Sequence, residues 1–315
     1  DVLAATRDEY RFAIGIDGPL GGDALSFRLG GMYDSVGGHY DNIAVPGAKL
    51  GDESQWSVNG SLLFEPNNKF SLNVRASYRE VDDGAPATAF KYGIADHNFG
   101  GFLLQNGLAN MSNSVIPAPR DGTRGESVYR GTIRMPDAST IGQNSSFANI
   151  EAYRNGFRAN PMYTSQALPG RLKYNINNVD EFGLKLDSTR FSAHAKYDFN
   201  ESVSLQLLAG HYEEAWGFWA DYDFTADNSY TAFYSSEIKD TSFEARLLGR
   251  ALDGRLSWIF GASQVDTKLK SIGEAGVASF YLFPVFFPGG FSTELFESGA
   301  RTSGIFASAD YQLTE

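Results

Sequence analysis

Hydrophobic and polar residues alternate along much of the chain with a period of two. One run shows the pattern, with Leu25, Phe27, Leu29, Gly31 and Tyr33 in one phase and Ser26, Arg28, Gly30 and Met32 in the other. Successive side chains of a β-strand point to opposite faces of the sheet. The alternation therefore predicts strands whose two faces meet different surroundings.

Nine such runs can be marked, and each is about as long as the 9 to 11 residues that a tilted strand needs to cross a bilayer. They lie near residues 8–17, 23–34, 54–65, 69–80, 188–199, 203–214, 240–251, 255–264 and 301–313. No stretch has the roughly 18 consecutive apolar residues of a membrane-spanning helix. If the chain crosses a membrane, it does so with strands.

The cationic residues of these runs fix which face is which. An Arg or Lys on the lipid side of a barrel costs about 2–4 kcal/mol at the bilayer midplane. We therefore expect Arg28, Arg75, Lys196 and Arg246 to point inwards. Leu63, Leu208, Leu248 and Ile259 fall in the same phase, so part of the interior must be apolar.

Short and long connections alternate along the chain. The tight ones, at 18–22, 65–68, 200–202 and 251–254, are rich in Gly, Pro, Asn and Asp, as turns require. The long ones cover 35–53, 81–187, 215–239 and 265–300, with short helices expected at 101–116 and 145–160. Outer-membrane barrels have this asymmetry. The pattern predicts an all-β fold, an antiparallel transmembrane β-barrel that is partial, because nine strands cannot close a single-chain bacterial barrel.

Composition excludes several other classes of protein. The chain has 315 residues, no Cys and a net charge of −12, which rules out disulfides and thiolate chemistry and argues against nucleic acid as a partner. Its four His are scattered, which predicts no protein-bound metal and no cofactor. No nucleophile elbow, phosphate loop or dinucleotide fingerprint occurs, so we expect no enzymatic activity and no catalytic residues.

Several short segments, spread along the chain, resemble the TonB-dependent outer-membrane receptors, and in particular the iron-complex receptors. Gly18-Pro19-Leu20 and Asp23-Ala24-Leu25-Ser26-Phe27-Arg28-Leu29 resemble an early turn and strand of that family, and Gly37-Gly38-His39-Tyr40-Asp41-Asn42 resembles the loop that follows. Ser242-Phe243-Glu244-Ala245-Arg246-Leu247 and Asp253-Gly254-Arg255-Leu256-Ser257-Trp258-Ile259-Phe260-Gly261 are similar to a mid-barrel hairpin, and Thr302-Ser303-Gly304-Ile305-Phe306-Ala307 and Tyr311-Gln312-Leu313-Thr314 to the next strand.

The resemblance implies a barrel of 22 strands around an N-terminal plug, through which the TonB complex supplies energy. Residues 1–315 would then be an internal part of the barrel wall, without the plug domain and the C-terminal strands. It further implies an outer-membrane receptor of a Gram-negative bacterium, in contact with outer-membrane lipid, that imports a scarce ligand such as a ferric siderophore. Uptake of a carbohydrate or vitamin, a passive porin and a soluble β-rich binding protein stay open as alternatives.

Two groups of residues are candidates for ligand binding. The predicted loop at 213–234 contains Trp216, Trp219 and Tyr222, whose flat rings can stack on catecholate or sugar rings. Arg75 and Arg79 are expected to face the lumen, where they could attract an anionic ferric complex. The alternatives are packing of the aromatic residues among the loops and ion pairs between the arginines and acidic residues of the barrel or plug.

Overall fold

The computed structural model describes residues 1–6, 8–42, 47–87, 172–221, 231–276 and 291–313. Twelve β-strands make up the regular structure of these ranges. Their bounds are β1 (Val2–Ala5), β2 (Glu9–Pro19), β3 (Leu25–Val36), β4 (Tyr40–Asp41), β5 (Lys49–Leu50), β6 (Glu53–Asn67), β7 (Phe70–Asp83), β8 (Gly183–Asn200), β9 (Val203–Asp221), β10 (Thr231–Ala251), β11 (Leu256–Gly276) and β12 (Phe291–Tyr311). Within the described residues, no helix is both long and apolar enough to span a membrane.

Ten of the strands form one antiparallel sheet in the order β1-β2-β3-β6-β7-β8-β9-β10-β11-β12. Strands that follow one another in the chain are thus neighbours in the sheet, which is the up-and-down topology of a barrel wall. All nine predicted strands are present, and β1 is an addition that the alternation did not indicate. The short strands β4 and β5 pair with each other within the connection between β3 and β6.

The strands from β8 onwards are much longer than predicted. They contain 18 to 21 residues, and a strand of 21 residues is about 70 Å long. Even at a tilt of 45°, it rises about 50 Å, twice the apolar height of about 25 Å in an outer-membrane barrel. The predicted long loops at 215–239 and 265–300 are therefore wrong in their bounds, because much of both segments is strand. The helices expected at 101–116 and 145–160 lie outside the described residues.

The strand register confirms the predicted faces. Arg28 pairs with Ser61, which pairs with Arg75, and Lys196 pairs with Gln206, which pairs with Arg246. All four cations lie on one side of the sheet, which we call the inner face. Leu208 lies on this face as well, between His194 and Glu244.

The opposite side, which we call the outer face, exposes a continuous apolar band. Neighbouring strands contribute large side chains that are between about two-fifths and four-fifths exposed, among them Ile14, Leu29, Val58, Leu62, Phe191, Phe243, Phe260 and Ile305. A water-soluble protein rarely exposes an apolar surface of this extent. The band therefore fits hydrocarbon rather than water as its surroundings.

Aromatic residues border this band at both ends. At the loop end, the rings of Trp56 and Tyr78 are 5.1 Å apart, and at the turn end those of Phe64 and Phe70 are 6.2 Å apart. The turns themselves are tight, as predicted. Gly21 and Gly22 have φ of 73° and 117°, conformations that residues with a Cβ rarely adopt.

The buried core lies at the loop end of the sheet, beyond the apolar band. Residues 172–182, which we call the strap, run across β9 and β10 there. Leu172, Ile176, Val179 and Phe182 of the strap pack with residues of the sheet and of the other loops, among them Leu50, Trp219, Phe233 and Ile272. The sheet is thus clasped above the membrane-facing region by a loop segment from its own chain.

Because adjacent residues of β9 lie on opposite faces, we expect them to differ in how well they tolerate a charged side chain. Leu207 is on the outer face and Leu208 on the inner face opposite Glu244. We expect Leu207→Arg to lower the free energy of unfolding in phospholipid vesicles by about 2–4 kcal/mol, because the guanidinium enters hydrocarbon. Leu208→Arg is the matched control and should cost clearly less, since Glu244 and water are within reach. An equal loss from both variants would contradict the assignment of the faces.

Candidate ligand-binding site

Three aromatic side chains line the inner face at the loop end of the sheet. Trp216 and Phe218 of β9 have ring centroids 5.8 Å apart, and Phe218 stacks on Tyr234 of β10 at 5.3 Å with an interplanar angle of 22°. Phe218 and Tyr234 are register partners, so the sheet itself fixes this stack. All three rings are partly exposed. This aromatic ladder, Trp216-Phe218-Tyr234, offers a flat surface on the side of the sheet that faces away from lipid.

A polar cluster lies on the same face, one to two rows closer to the turns than Trp216. The Tyr212 hydroxyl donates a hydrogen bond to Glu214 over 2.5 Å, and the Arg190 guanidinium is 5.1 Å from the Tyr212 ring centroid. Cations prefer the face of an aromatic ring because of its quadrupole. The three side chains of this cluster thus contact one another on the lumen side of the sheet, next to the aromatic ladder.

Arg79 is on the row of Glu214, with Ser188 between them. It donates to the Gln55 side chain over 2.8 Å, and its own side chain is exposed. Given the spacings of a β-sheet, its Cα is about 12 Å from that of Trp216. Arg75 is four residues nearer the turns and donates to Asn73 over 3.0 Å. Arg79 is thus near the ladder, and Arg75 is deeper in the lumen.

Trp219 lies on the other side of the sheet. It is three residues from Trp216, an odd number, and period-two geometry puts the two indoles on opposite faces. Trp219 is fully buried, its Nε1 donates to the Val179 carbonyl over 2.8 Å, and its ring is 4.9 Å from that of Phe233. Its place is in the core beneath the strap. Tyr222 lies outside the described residues.

Polar contacts fasten the strap to the outer face. The Lys173 amide donates to Glu237 over 2.5 Å, and its ammonium is 2.6 Å from Asp187. The Ser235 hydroxyl donates to the Tyr174 carbonyl over 2.6 Å. Burial, and after it the charge of Asp187, raises the pKa of Tyr174, so its hydroxyl stays protonated.

Asn residues give the strap its local shape. The Asn178 side chain accepts a hydrogen bond from the Asn175 amide over 2.7 Å. It also donates one to the Lys173 carbonyl, again over 2.7 Å. The Asn175 side chain accepts the Asn177 amide over 3.0 Å. Asn side chains close turns in this way because they reproduce a backbone hydrogen bond.

A cleft of about 390 Å³ opens beside the ladder, between the ends of β6 and β7 and those of β8 and β9. Leu184 and Phe218 contribute to its apolar wall, while Asp52, Glu53 and Asp83 contribute carboxylates. Its volume is in the range of small-molecule sites. Sequence reasoning missed it, since its walls come from segments that are up to about 180 positions apart and no local motif indicates their meeting.

Asp83 is the partly buried carboxyl of this cleft. Burial raises its pKa, and the nearby charges of Glu53 and Asp82 raise it further, whereas the Ser54 amide, which donates to it over 3.1 Å, acts in the opposite direction. No group of three or more His, Asp or Glu side chains suited to a metal ion occurs in the described ranges.

Comparisons with known proteins bear on the fold. The sequence matches no protein-family model and no curated protein. The structure is similar to the ferric yersiniabactin uptake receptor of Yersinia pestis, with a TM-score of 0.52 and 12% identity over 98% of this chain and 43% of the receptor. It is also similar to the ferripyoverdine receptor of the outer membrane of Pseudomonas aeruginosa, with a TM-score of 0.57 and 13% identity over 98% of this chain and 34% of the receptor.

A third similar structure is a siderophore receptor of Acinetobacter baumannii, with a TM-score of 0.56 and 11% identity over 99% of this chain and 40% of the receptor. The chain thus spans between a third and less than half of the length of these three neighbours. At this identity the likeness defines the fold. The shared fold is an antiparallel sheet with the architecture of part of an outer-membrane receptor barrel, which agrees with the fold predicted from the sequence.

The strap generates a prediction at Gly217, which lies beneath it on the outer face. A Cβ at this position would be 2.8 Å from the Tyr174 Cβ, so Gly217→Ala should push the strap away and lower the free energy of unfolding by about 1–3 kcal/mol. Hydrogen exchange of residues 172–182 should accelerate. Gly299→Ala is the matched control, because the closest atom to its Cβ would be 3.7 Å away. Unchanged exchange in Gly217→Ala would contradict the packing.

The raised pKa of Asp83 generates a prediction about pH. A carboxyl whose pKa is higher in the folded state stabilises the fold below its unfolded pKa, and this contribution is lost as pH rises through the folded pKa. Asp83→Asn keeps an oxygen for the Ser54 amide but removes the charge. Its unfolding free energy should exceed that of the parent increasingly as pH rises from 3 to 7. A gap of constant size across this range would show that charge is not the cause.

Proposed function

We propose that this chain forms part of the wall of an outer-membrane receptor of a Gram-negative bacterium, and that the receptor imports a ferric siderophore by TonB-dependent transport. The observation that carries the proposal is the pairing of an exposed apolar band on the outer face with an aromatic ladder and arginines on the inner face. The three similar receptors named above add support, since each is a receptor for a siderophore or for a ferric complex.

The membrane part of the proposal has a physical requirement. Among the described residues, β1 and β12 each pair on one side only, and lipid does not admit an open sheet edge. We infer that further strands complete the barrel and that a plug, which contacts the TonB complex, occupies its lumen. Some cations of the inner face form ion pairs within this chain. Arg11, for example, donates hydrogen bonds to the Asp34 carboxylate from Nε over 2.9 Å and from Nη2 over 2.6 Å.

In this proposal, the ladder is the first surface that a ligand meets inside the mouth. Trp216 and Phe218 stack on planar groups of the ligand, while Arg79 attracts its negative charge. Arg75 acts later, deeper in the lumen. The sequence analysis groups Trp219 with Trp216 as a candidate for ligand binding. Because the ring of Trp219 is fully buried, we assign it instead the structural role of packing against the strap.

Binding experiments on the receptor that contains this chain test the assignment. We expect Trp216→Ala and Phe218→Ala each to weaken the affinity for a ferric catecholate complex about tenfold, roughly 1.4 kcal/mol, without a change in unfolding free energy of similar size. Trp56→Ala, the same kind of change on the outer face, is the control and should leave affinity unaltered. Affinity that survives both inner-face changes would exclude the ladder as the binding surface.

Uptake experiments separate the transport classes. Growth on a ferric siderophore under iron limitation should require both this receptor and a functional TonB complex. Uptake of a sugar or vitamin in place of the ferric complex would identify the alternative cargo, since an aromatic ladder also suits a sugar ring. Steady conductance in planar bilayers without TonB would instead identify a porin.

A further inference from the structure

The cleft beside the aromatic ladder follows the same row of the sheet as Phe218. Phe218 pairs with Leu184, which pairs with Asp83, and all three line the cleft. Val36 and Glu53, which pair with each other on β3 and β6, line it as well. Neighbouring strands are about 4.8 Å apart, so Asp83 is about 10 Å from Phe218 across the sheet. The cleft is therefore apolar beside the ladder and acidic beyond Leu184.

The acidic end of the cleft contains three carboxylates, those of Asp52, Glu53 and Asp83. In the part of the chain that the structure describes, none of the three forms an ion pair. Lys49 and Lys185 belong to adjoining strands, but each of them pairs with a different carboxylate. The negative charge of the cleft is thus not balanced by these residues.

The backbone makes room for one of these carboxylates. A Cβ at Gly84 would be 2.1 Å from Asp52 Oδ1, so the carboxylate occupies space that a side chain at position 84 would fill. The Gly84 amide also donates to the Asp52 carbonyl over 3.1 Å. Glycine at this position therefore lets the Asp52 carboxylate lie against the backbone at the edge of the cleft.

The charge of Asp83 opposes folding. Burial and the charges of Glu53 and Asp82 raise its pKa, which means that the ionised form is less stable in the folded chain than in the unfolded one. The one hydrogen bond that it accepts, from the Ser54 amide, could equally be accepted by an Asn side chain. Packing and hydrogen bonding alone thus give no reason for a carboxylate here, whereas a bound cation does.

An organic cation fits the cleft better than a metal ion. Within the described ranges, no three His, Asp or Glu side chains are close enough together to hold a metal. The cleft has a volume of about 390 Å³ and includes the rings of Tyr40 and Phe218 in its lining. Aromatic faces attract ammonium and guanidinium groups, and apolar walls suit the carbon chain that carries them.

The cleft also has a fixed relation to the arginine of the candidate site. Arg79 and Asp83 are four residues apart on β7, so they lie on the same face at a separation of about 13 Å. Val81 lies between them on this face and is buried. A ligand that spans this distance meets a cation at one end and carboxylates at the other.

We propose that the cleft binds a primary ammonium or guanidinium group, and that the ferric siderophore of the proposed function therefore carries a cationic arm besides its anionic iron-binding groups. The arm extends from the ring that stacks on Phe218, crosses Leu184 and ends at Asp83 and Glu53. Hydrogen bonds between such a cation and a carboxylate are about twice as strong as neutral ones. The inference rests on the proposed function, because it requires that the cargo reaches the ladder from the lumen side.

The test uses the receptor that contains this chain and two probes, a ferric catecholate complex with one primary-amine arm and the same complex with the amine acetylated. We expect the parent to bind the amine complex about tenfold more tightly than the acetylated one. Asp83→Asn should remove most of this preference and leave the affinity for the acetylated complex unchanged. Glu53→Gln should reduce the preference in the same direction. Because Asp83→Asn is expected to be more stable than the parent at pH 7, misfolding would not explain its loss of affinity.

Asp23→Asn is the matched control, since it removes the same charge from an exposed turn at the other end of the sheet. Equal affinity of the parent for the two complexes, a full preference in Asp83→Asn, or the same loss in Asp23→Asn would each overturn the inference and leave the proposed cargo intact. A receptor that binds neither complex would instead refute the proposed cargo, and the inference with it.

Discussion

The exclusion of charge and of unpaired backbone groups from hydrocarbon governs this structure. A strand can satisfy its amides and carbonyls in lipid only through its neighbours, and it can place its cations only on the face that lipid does not touch. These two demands together produce the long antiparallel ladder from β1 to β12 and the segregation of Arg28, Arg75, Lys196 and Arg246 to one side. The positions of the aromatic ladder, the strap and the charged residues of the outer face all depend on this hydrogen-bonded sheet.

Sequence reasoning was most successful where this constraint acts. Period-two alternation identified nine strands and their faces, because hydrocarbon imposes a uniform chemistry on one phase. It failed beyond the band, since hydrocarbon no longer borders the outer face there and charged residues such as Lys239, Lys268 and Glu213 can occupy the outer phase. The alternation fades in the sequence while the hydrogen-bonded ladder continues, so β9 to β12 were predicted too short.

The candidate site was predicted in part for the same reason. Arg75 and Arg79 belong to a strand with clear alternation, and they lie on the predicted face. Trp216 and Trp219 were assigned to a loop, where no rule distinguishes their directions. Once both are known to belong to a strand, period-two geometry points Trp216 toward the lumen and Trp219 toward the strap. The cleft beside Phe218 and the strap itself depend on contacts between distant segments, and local patterns contain no information about these.

The position of the ladder on strands, beyond the membrane but within the hydrogen-bonded sheet, limits how such a site can diverge. Insertion of one residue into β9 between Glu214 and Trp216 would turn Trp216 and Phe218 toward the outside and Trp219 toward the lumen. The hydrogen bond from Trp219 to Val179 and the stack of Phe218 on Tyr234 would both be lost. Insertion of two residues would keep both indoles on their original faces, one row further along the strand. Strand lengths at the mouth of such a barrel are therefore expected to drift in even steps, while the loops beyond them vary by any number.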